Sequence, residues 1–202
     1  MFNKLSFLLV AICVMINSAI YASANTEALP QREFLTEGTL CRVAVDKAGA
    51  EYGVRKDLLQ TIAVVESGRF DKLHNQFVSW PWTVNANGRG YYYSTKEEAV
   101  AAVKNFKRQG IDSIDVGCMQ INLKYHGEAF ASIEDALNPE NNVRYSAKFL
   151  RNLYNRNGYD WKKAAKRYHS GNFERGEIYS KLLEKKFASY KMAGLTHGET
   201  LF

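Results

Sequence analysis

From Thr39 to Met192, apolar residues return every third or fourth position, in runs that stop at Gly53, Gly68 and Gly110. That period builds helices with one buried stripe and leaves little chain for an extended sheet. The first run, Thr39 to Tyr52, carries Leu40, Val43, Ala44 and Ala48. The second, Arg55 to Ser67, carries Leu58, Leu59, Ile62, Ala63 and Val65, with Gly68 just past its end. Thr95 with Glu98 makes a capping box that opens a third helix, with Ala99, Val100, Val103 and Phe106 on one side. Asn138-Pro139 starts a long helix to about Asn155, Asp160 caps another through Tyr168, and a last one covers Glu174 to Met192. One segment breaks the period: Trp80 to Tyr93 is aromatic and turn-rich. There, Asn87-Gly88 between Trp82-Thr83-Val84 and Tyr91-Tyr92-Tyr93 predicts a hairpin. The expected fold class is mainly α (α+β), a helical domain with one small β-hairpin insertion.

The residues ahead of the first run differ in kind. Lys4 precedes an apolar stretch from Leu5 to Ile20, and small residues follow at Ala22 and Ala24. This pattern predicts a signal peptide over residues 1–24, cleaved on export, against the alternative of an uncleaved anchor. A polar leader (25–38), one domain (39–193) and a C-terminal tail (194–202) follow. No membrane insertion is expected after cleavage. Cys13 leaves with the leader, so Cys41 and Cys118 meet an oxidising compartment. There they are expected to close one disulfide; two small buried hydrophobes are the alternative. His74, His126, His169 and His197 show no metal-ligand spacing with them, so no metal is expected.

The chain has 27 Lys+Arg and 21 Asp+Glu, a formal charge of +6 of which Lys4 supplies one. A mildly basic exported protein favours acidic polymers. The cations are scattered singly along helices without a dense basic block, which argues against nucleic acid as a partner.

Glu66 stands three residues after Ala63, four after Ile62 and seven after Leu59, on the stripe that faces the core. It also sits near a helix C-terminus, where the macrodipole opposes negative charge. Burial and dipole both raise its pKa and suit it to general acid work. A structural carboxylate satisfied by Arg69 or a backbone amide is the alternative.

Three motifs then fall in order. Glu66-Ser67-Gly68-Arg69-Phe70 resembles the catalytic E-S-x-x-F segment of the soluble lytic transglycosylase family, which is related to goose-type lysozyme. Gly117 to Asn122 resembles that family's G-x-M-Q-I/V segment, and Ala165 to Asn172 its A-Y-N-x-G segment. The resemblance implies a lysozyme-like fold and an enzyme that acts on peptidoglycan glycan strands without metal or cofactor, while the signal peptide, compactness and the lack of a transmembrane helix lead to the expectation of a periplasmic monomer. It implies that Glu66 is the catalytic acid and then base, and that Ser67 contacts Glu66 or the sugar. Gly117 would let the chain approach the glycan, Gln120 and Asn122 would hydrogen-bond substrate, and Met119 would line the cleft. Tyr168 would position Glu66 or the N-acetyl group. His169 stands where the family has Asn, and Cys118 where an aliphatic residue is common. Trp80 to Tyr93 reads as one wall of the cleft, with Trp82, Tyr91 and Tyr93 as sugar-stacking candidates.

Glycoside cleavage usually needs two carboxylates. Asp71 lies beyond the helix stop, and Asp112 and Asp115 can approach Glu66 only through the fold. With Glu66 alone, the substrate must supply the second group, as a 2-acetamido sugar does through its carbonyl oxygen. The rivals are a hydrolytic lysozyme using Asp112 or Asp115, and a wall-binding module that holds glycan without cutting it. Enzymes of the family serve wall turnover or open gaps for secretion and conjugation machines, so such an apparatus is a candidate partner.

Overall fold

The computed structural model describes residues 29–72 and 75–202; the signal peptide expected over residues 1–24 lies outside them. The chain divides into two units, Met1–Thr36 and Glu37–Phe202, and the second is the helical domain.

Helix α1, Leu29–Tyr52, enters this unit and buries Cys41, Ala44, Val45 and Ala48. It begins ten residues before Thr39, where a cap was expected, so the predicted polar leader is in part helical. Helix α2, Lys56–Ser67, buries Leu58, Leu59, Ile62 and Ala63, the stripe read from the sequence. Strands β1 (Gly68–Asp71) and β2 (Gln76–Ser79) then form an antiparallel hairpin that the sequence pattern does not predict. Its two partners are four residues each, too short for alternation to show.

The expected hairpin is present as β3 (Thr83–Ala86) and β4 (Arg89–Tyr92), paired Val84 to Tyr91, with its turn at Asn87-Gly88. Both turn residues have positive φ, 52° and 79°, as the two-residue turn requires. It extends into a four-stranded antiparallel sheet, ordered β4-β3-β5-β6, through β5 (Ile114–Val116) and β6 (Ile121–Asn122). Helix α3, Lys96–Arg108, opens with the predicted Thr95–Glu98 capping box.

Two short helices, α4 (Leu123–His126) and α5 (Ile133–Ala136), lead into α6, Pro139–Arg156, capped by Asn138. Helix α7 is Trp161–His169, capped by Asp160, and α8 is Phe173–Met192, capped by Asn172. The fold is mainly α. One core joins α1, α2, α6, α7 and α8 through Val45, Leu59, Ile62, Leu150, Ala165 and Leu183. Leu201 joins it from the segment after α8, where Arg55 also donates to the Thr200 carbonyl at 2.6 Å.

The Cys41–Cys118 disulfide is formed, joining α1 to the loop between β5 and β6 across 77 residues of sequence. Among the described residues no helix is long and apolar enough to cross a membrane.

Candidate active site

Glu66 occupies the last turn of α2, one position before the buried Ser67, and is itself partly buried. Burial is the largest influence on its carboxyl and lifts the pKa from 4.5 to about 7; nearby Asp115 pushes the same way. Opposing them, the Tyr179 hydroxyl donates to Glu66 Oε1 at 2.5 Å and favours the carboxylate. The side chain is therefore poised to hold or release a proton near neutrality.

The cleft in front of Glu66 has a volume of about 380 Å³. Strand register explains one set of its lining residues. Asn85 on β3 pairs with Asp115 on β5, which pairs with Asn122 on β6, so the three side chains share one face of the sheet. The neighbouring row, Val84, Val116 and Ile121, is buried. Asn122 Nδ2 donates to Asp115 Oδ1 at 2.8 Å, while Asn122 Oδ1 caps α4 through Lys124 N–H. Burial raises the Asp115 pKa, and the Asn122 hydrogen bond partly offsets that. Beyond Asn85 the row ends at Gly90 on β4, which has no side chain to add.

The other lining set is aromatic: Tyr125, His126, Phe149 and Tyr168. The rings of His126 and Phe149 lie 5.1 Å apart, and those of Phe149 and Tyr168 lie 5.9 Å apart. Tyr145 braces the wall through a 2.8 Å hydrogen bond between its hydroxyl and His126 Nδ1. Partial burial pushes the His126 pKa down. Flat apolar rings facing amides and a carboxyl suit a sugar, which is apolar on its faces and polar at its rim.

The loop between β5 and β6 holds the two halves together. Gly117 has φ +79°, and an added Cβ would lie 2.6 Å from the Asn142 side chain. Asn142 is fully buried and clasps the loop: its Oδ1 accepts from Met119 N–H, and its Nδ2 donates to the Val116 and Ala136 carbonyls. Gln120 follows at φ 47°, a strained conformation for a residue with a side chain, and its Nε2 donates to the Thr83 and Gly117 carbonyls.

Of the residues expected at the site, Glu66, Gln120, Asn122, Tyr168 and His169 line the cleft together. The others lie elsewhere. Ser67 is fully buried, and its hydroxyl is shared between the Ala63 carbonyl four residues back in the helix and the Cys118 carbonyl. Met119 is fully buried in the core, and Gly117 makes its close approach to Asn142. Tyr168 donates to the Met119 carbonyl at 2.9 Å, so the tyrosine bonded to Glu66 is Tyr179, whose ring stacks on His169 at 4.2 Å.

The aromatic hairpin reaches the cleft only through Asn85. Trp82 is buried and donates to Glu37, and Tyr91 stacks on Tyr93 and packs beside Phe106. Among the described residues no group of three or more His, Cys, Asp or Glu is placed to hold a metal ion.

A mainly helical domain with one protonatable glutamate, set in a cleft of amides and stacked rings, defines a lysozyme-like, carbohydrate-acting class. The family model described as Transglycosylase SLT domain matches residues 44–189, a stretch that takes in the whole lining of the cleft. The chain belongs to this family, and its activity is of the lytic transglycosylase type, directed at peptidoglycan outside the cytoplasm. No curated protein and no solved structure matches it.

Proposed function

We propose that the protein cleaves the β-1,4 bond between N-acetylmuramic acid and N-acetylglucosamine and leaves a 1,6-anhydromuramoyl end. The observation that carries this reading is the Glu66 carboxyl, held near half-protonation at neutral pH with Tyr179 as its hydrogen-bond partner. Glu66 donates its proton to the glycosidic oxygen. The bond to the muramoyl anomeric carbon breaks, and the N-acetyl carbonyl oxygen closes on that carbon. The Glu66 carboxylate, stabilised by the Tyr179 hydroxyl, then takes the proton of the muramoyl C6 hydroxyl. The C6 oxygen displaces the acetamido oxygen, and Glu66 is again protonated. Water is not consumed, and the substrate's own amide does the work of a second carboxylate. Gln120 and Asn122 orient the sugar through their amides, and the His126 to Tyr168 wall receives its apolar face.

A second reading, hydrolysis, is favoured by one observation: Asp115 lines the same cleft as Glu66. In that reading Asp115 activates water on the opposite face of the sugar.

Mass spectrometry of muropeptides released from purified peptidoglycan, with Glu66→Gln and Asp115→Asn alongside, separates the readings. Anhydromuramoyl products that vanish in Glu66→Gln support the lyase, and they persist in Asp115→Asn. Reducing-end products lost in both variants mean a hydrolase, and sedimentation with the wall without any release means a binding module. We further propose a periplasmic location reached through cleavage after Ala24, which suits the disulfide; N-terminal sequencing of the exported chain tests it.

A further inference from the structure

Helix α8 has two apolar faces, and only one is used by the fold. Tyr179, Leu183, Phe187 and Tyr190 are buried. On the outward side Ile178, Leu182 and Met192 are 68%, 46% and 89% exposed. Their spacing, with Lys185 and Ser189 between them, places all five on one stripe. A helix that buries one face normally turns a polar one to water.

The outward stripe continues onto the β1–β2 hairpin, where Phe70 and Phe77 are 44% and 41% exposed and meet edge to face at 5.2 Å. Between helix and hairpin lies a groove of about 630 Å³, lined by Phe70, Phe77, Leu182, Lys186 and Leu195 among others. It shares no residue with the cleft at Glu66.

Cations outnumber acids along this face. Between Ile178 and Leu195 stand Lys181, Lys185, Lys186 and Lys191 against one acid, Glu184, and Lys162 holds that acid at 2.6 Å. Lys185 and Lys186 have no carboxylate partner among the described residues. The Lys186 ammonium instead sits 4.1 Å from the Phe77 ring centroid, its stem laid along apolar surface and its charge at the rim. Projecting aliphatic and aromatic tips beside Lys185 and Lys186, with Glu174 and the Lys166-bound Glu177 confined to the start of the helix, are what an anionic bilayer surface attracts. The tips enter the acyl boundary while the lysines meet phosphates.

We propose that the outward face of α8, with Phe70 and Phe77 of the β1–β2 hairpin, is a peripheral membrane-binding surface selective for anionic phospholipid. The outward projection of Ile178 and Met192 favours a broad lipid surface over an acidic peptide seated in the groove alone. This surface would hold the enzyme beside a bilayer and leave the separate glycan cleft open.

The test uses the exported, processed chain with Met192→Cys, in which Cys41 and Cys118 are paired and the new cysteine is the free one. A fluorophore sensitive to polarity is attached at position 192, and a Glu97→Cys chain on α3 serves as control. Vesicles of phosphatidylcholine alone are compared with vesicles rich in phosphatidylglycerol. The expected result is a blue shift at position 192 and none at 97, with anionic vesicles only, reversed by high salt. Lys185→Glu with Lys186→Glu weakens this response at least tenfold while muropeptide release from soluble glycan and the thermal midpoint stay as they were. An equal response to neutral vesicles, a shift at both positions, or none with anionic vesicles at low salt overturns the proposal. The last outcome would leave the face to an acidic protein.

Discussion

Replacing Glu66 by Gln should make the protein more stable, and only above a certain pH. The carboxyl binds its proton at about 7 in the folded chain, against 4.5 for an ordinary glutamate. Below pH 4.5 both states hold the proton, and the acid differs little from the amide that replaces it. Between 4.5 and 7 the unfolded chain releases the proton while the folded chain keeps it, so the stability of the native protein falls as pH rises. Above 7 the loss is complete. At about 1.4 kcal/mol per tenfold change in proton affinity it comes to about 3 kcal/mol. The glutamine chain has no such group and escapes the decline. For a domain of this size each kcal/mol corresponds to roughly 2–4 °C. The thermal midpoint of Glu66→Gln should therefore match that of the native chain at pH 4 and exceed it by about 6–12 °C at pH 8.5. Calorimetry across that range, in buffers of equal ionic strength, reads the difference directly. A gap that stays constant with pH, or that closes as pH rises, would refute a buried acid held protonated at the expense of stability.

Tyr179→Phe removes the hydrogen bond that favours the Glu66 carboxylate. The alkaline limb of the pH–rate profile should move up by about one pH unit. Tyr168→Phe, whose hydroxyl serves the Met119 carbonyl, should leave that limb in place. Gly117→Ala drives a methyl into Asn142 at a positive φ and should cost at least about 2 kcal/mol in urea unfolding, with activity falling as the loop shifts. Removing the disulfide as Cys41→Ala with Cys118→Ala opens a loop of 77 residues and should lower the unfolding free energy by about 4 kcal/mol, read from urea midpoints with and without reductant.

How far the site was legible in the sequence depended on the range of the interaction that placed each residue. Glu66 was visible because a carboxylate on the apolar stripe of α2 conflicts with local rules, and such conflicts gather at functional sites. Helix caps at Thr95, Asn138 and Asp160 were visible because each is a contact within four residues. Asn85 was not, and Asp115 was named only beside Asp112, since only the pairing of β3 with β5 across 30 residues brings Asn85 and Asp115 to one face. Ser67 and Met119 were misplaced by motif proximity: a motif marks a segment, while alternation along the chain decides which of its side chains turn into the core.

Tyr179 is the instructive omission, because its signal was present. It stands four residues before Leu183 and eight before Phe187 on the buried face of α8. A tyrosine at such a position brings a hydroxyl that must find a partner out of reach of water. Glu66 poses the matching problem, a carboxyl on a core stripe that needs a donor. Each group is costly alone, and each satisfies the other at 2.5 Å across 113 residues. Pairing the unsatisfied donors of one apolar stripe with the unsatisfied acceptors of another would have joined these two before any coordinates were known. The aromatic hairpin shows the converse. Trp82 donates to Glu37, and the rings of Tyr91, Tyr93 and Phe106 pack on one another, so the aromatic character of this segment goes into the domain and not into the cleft.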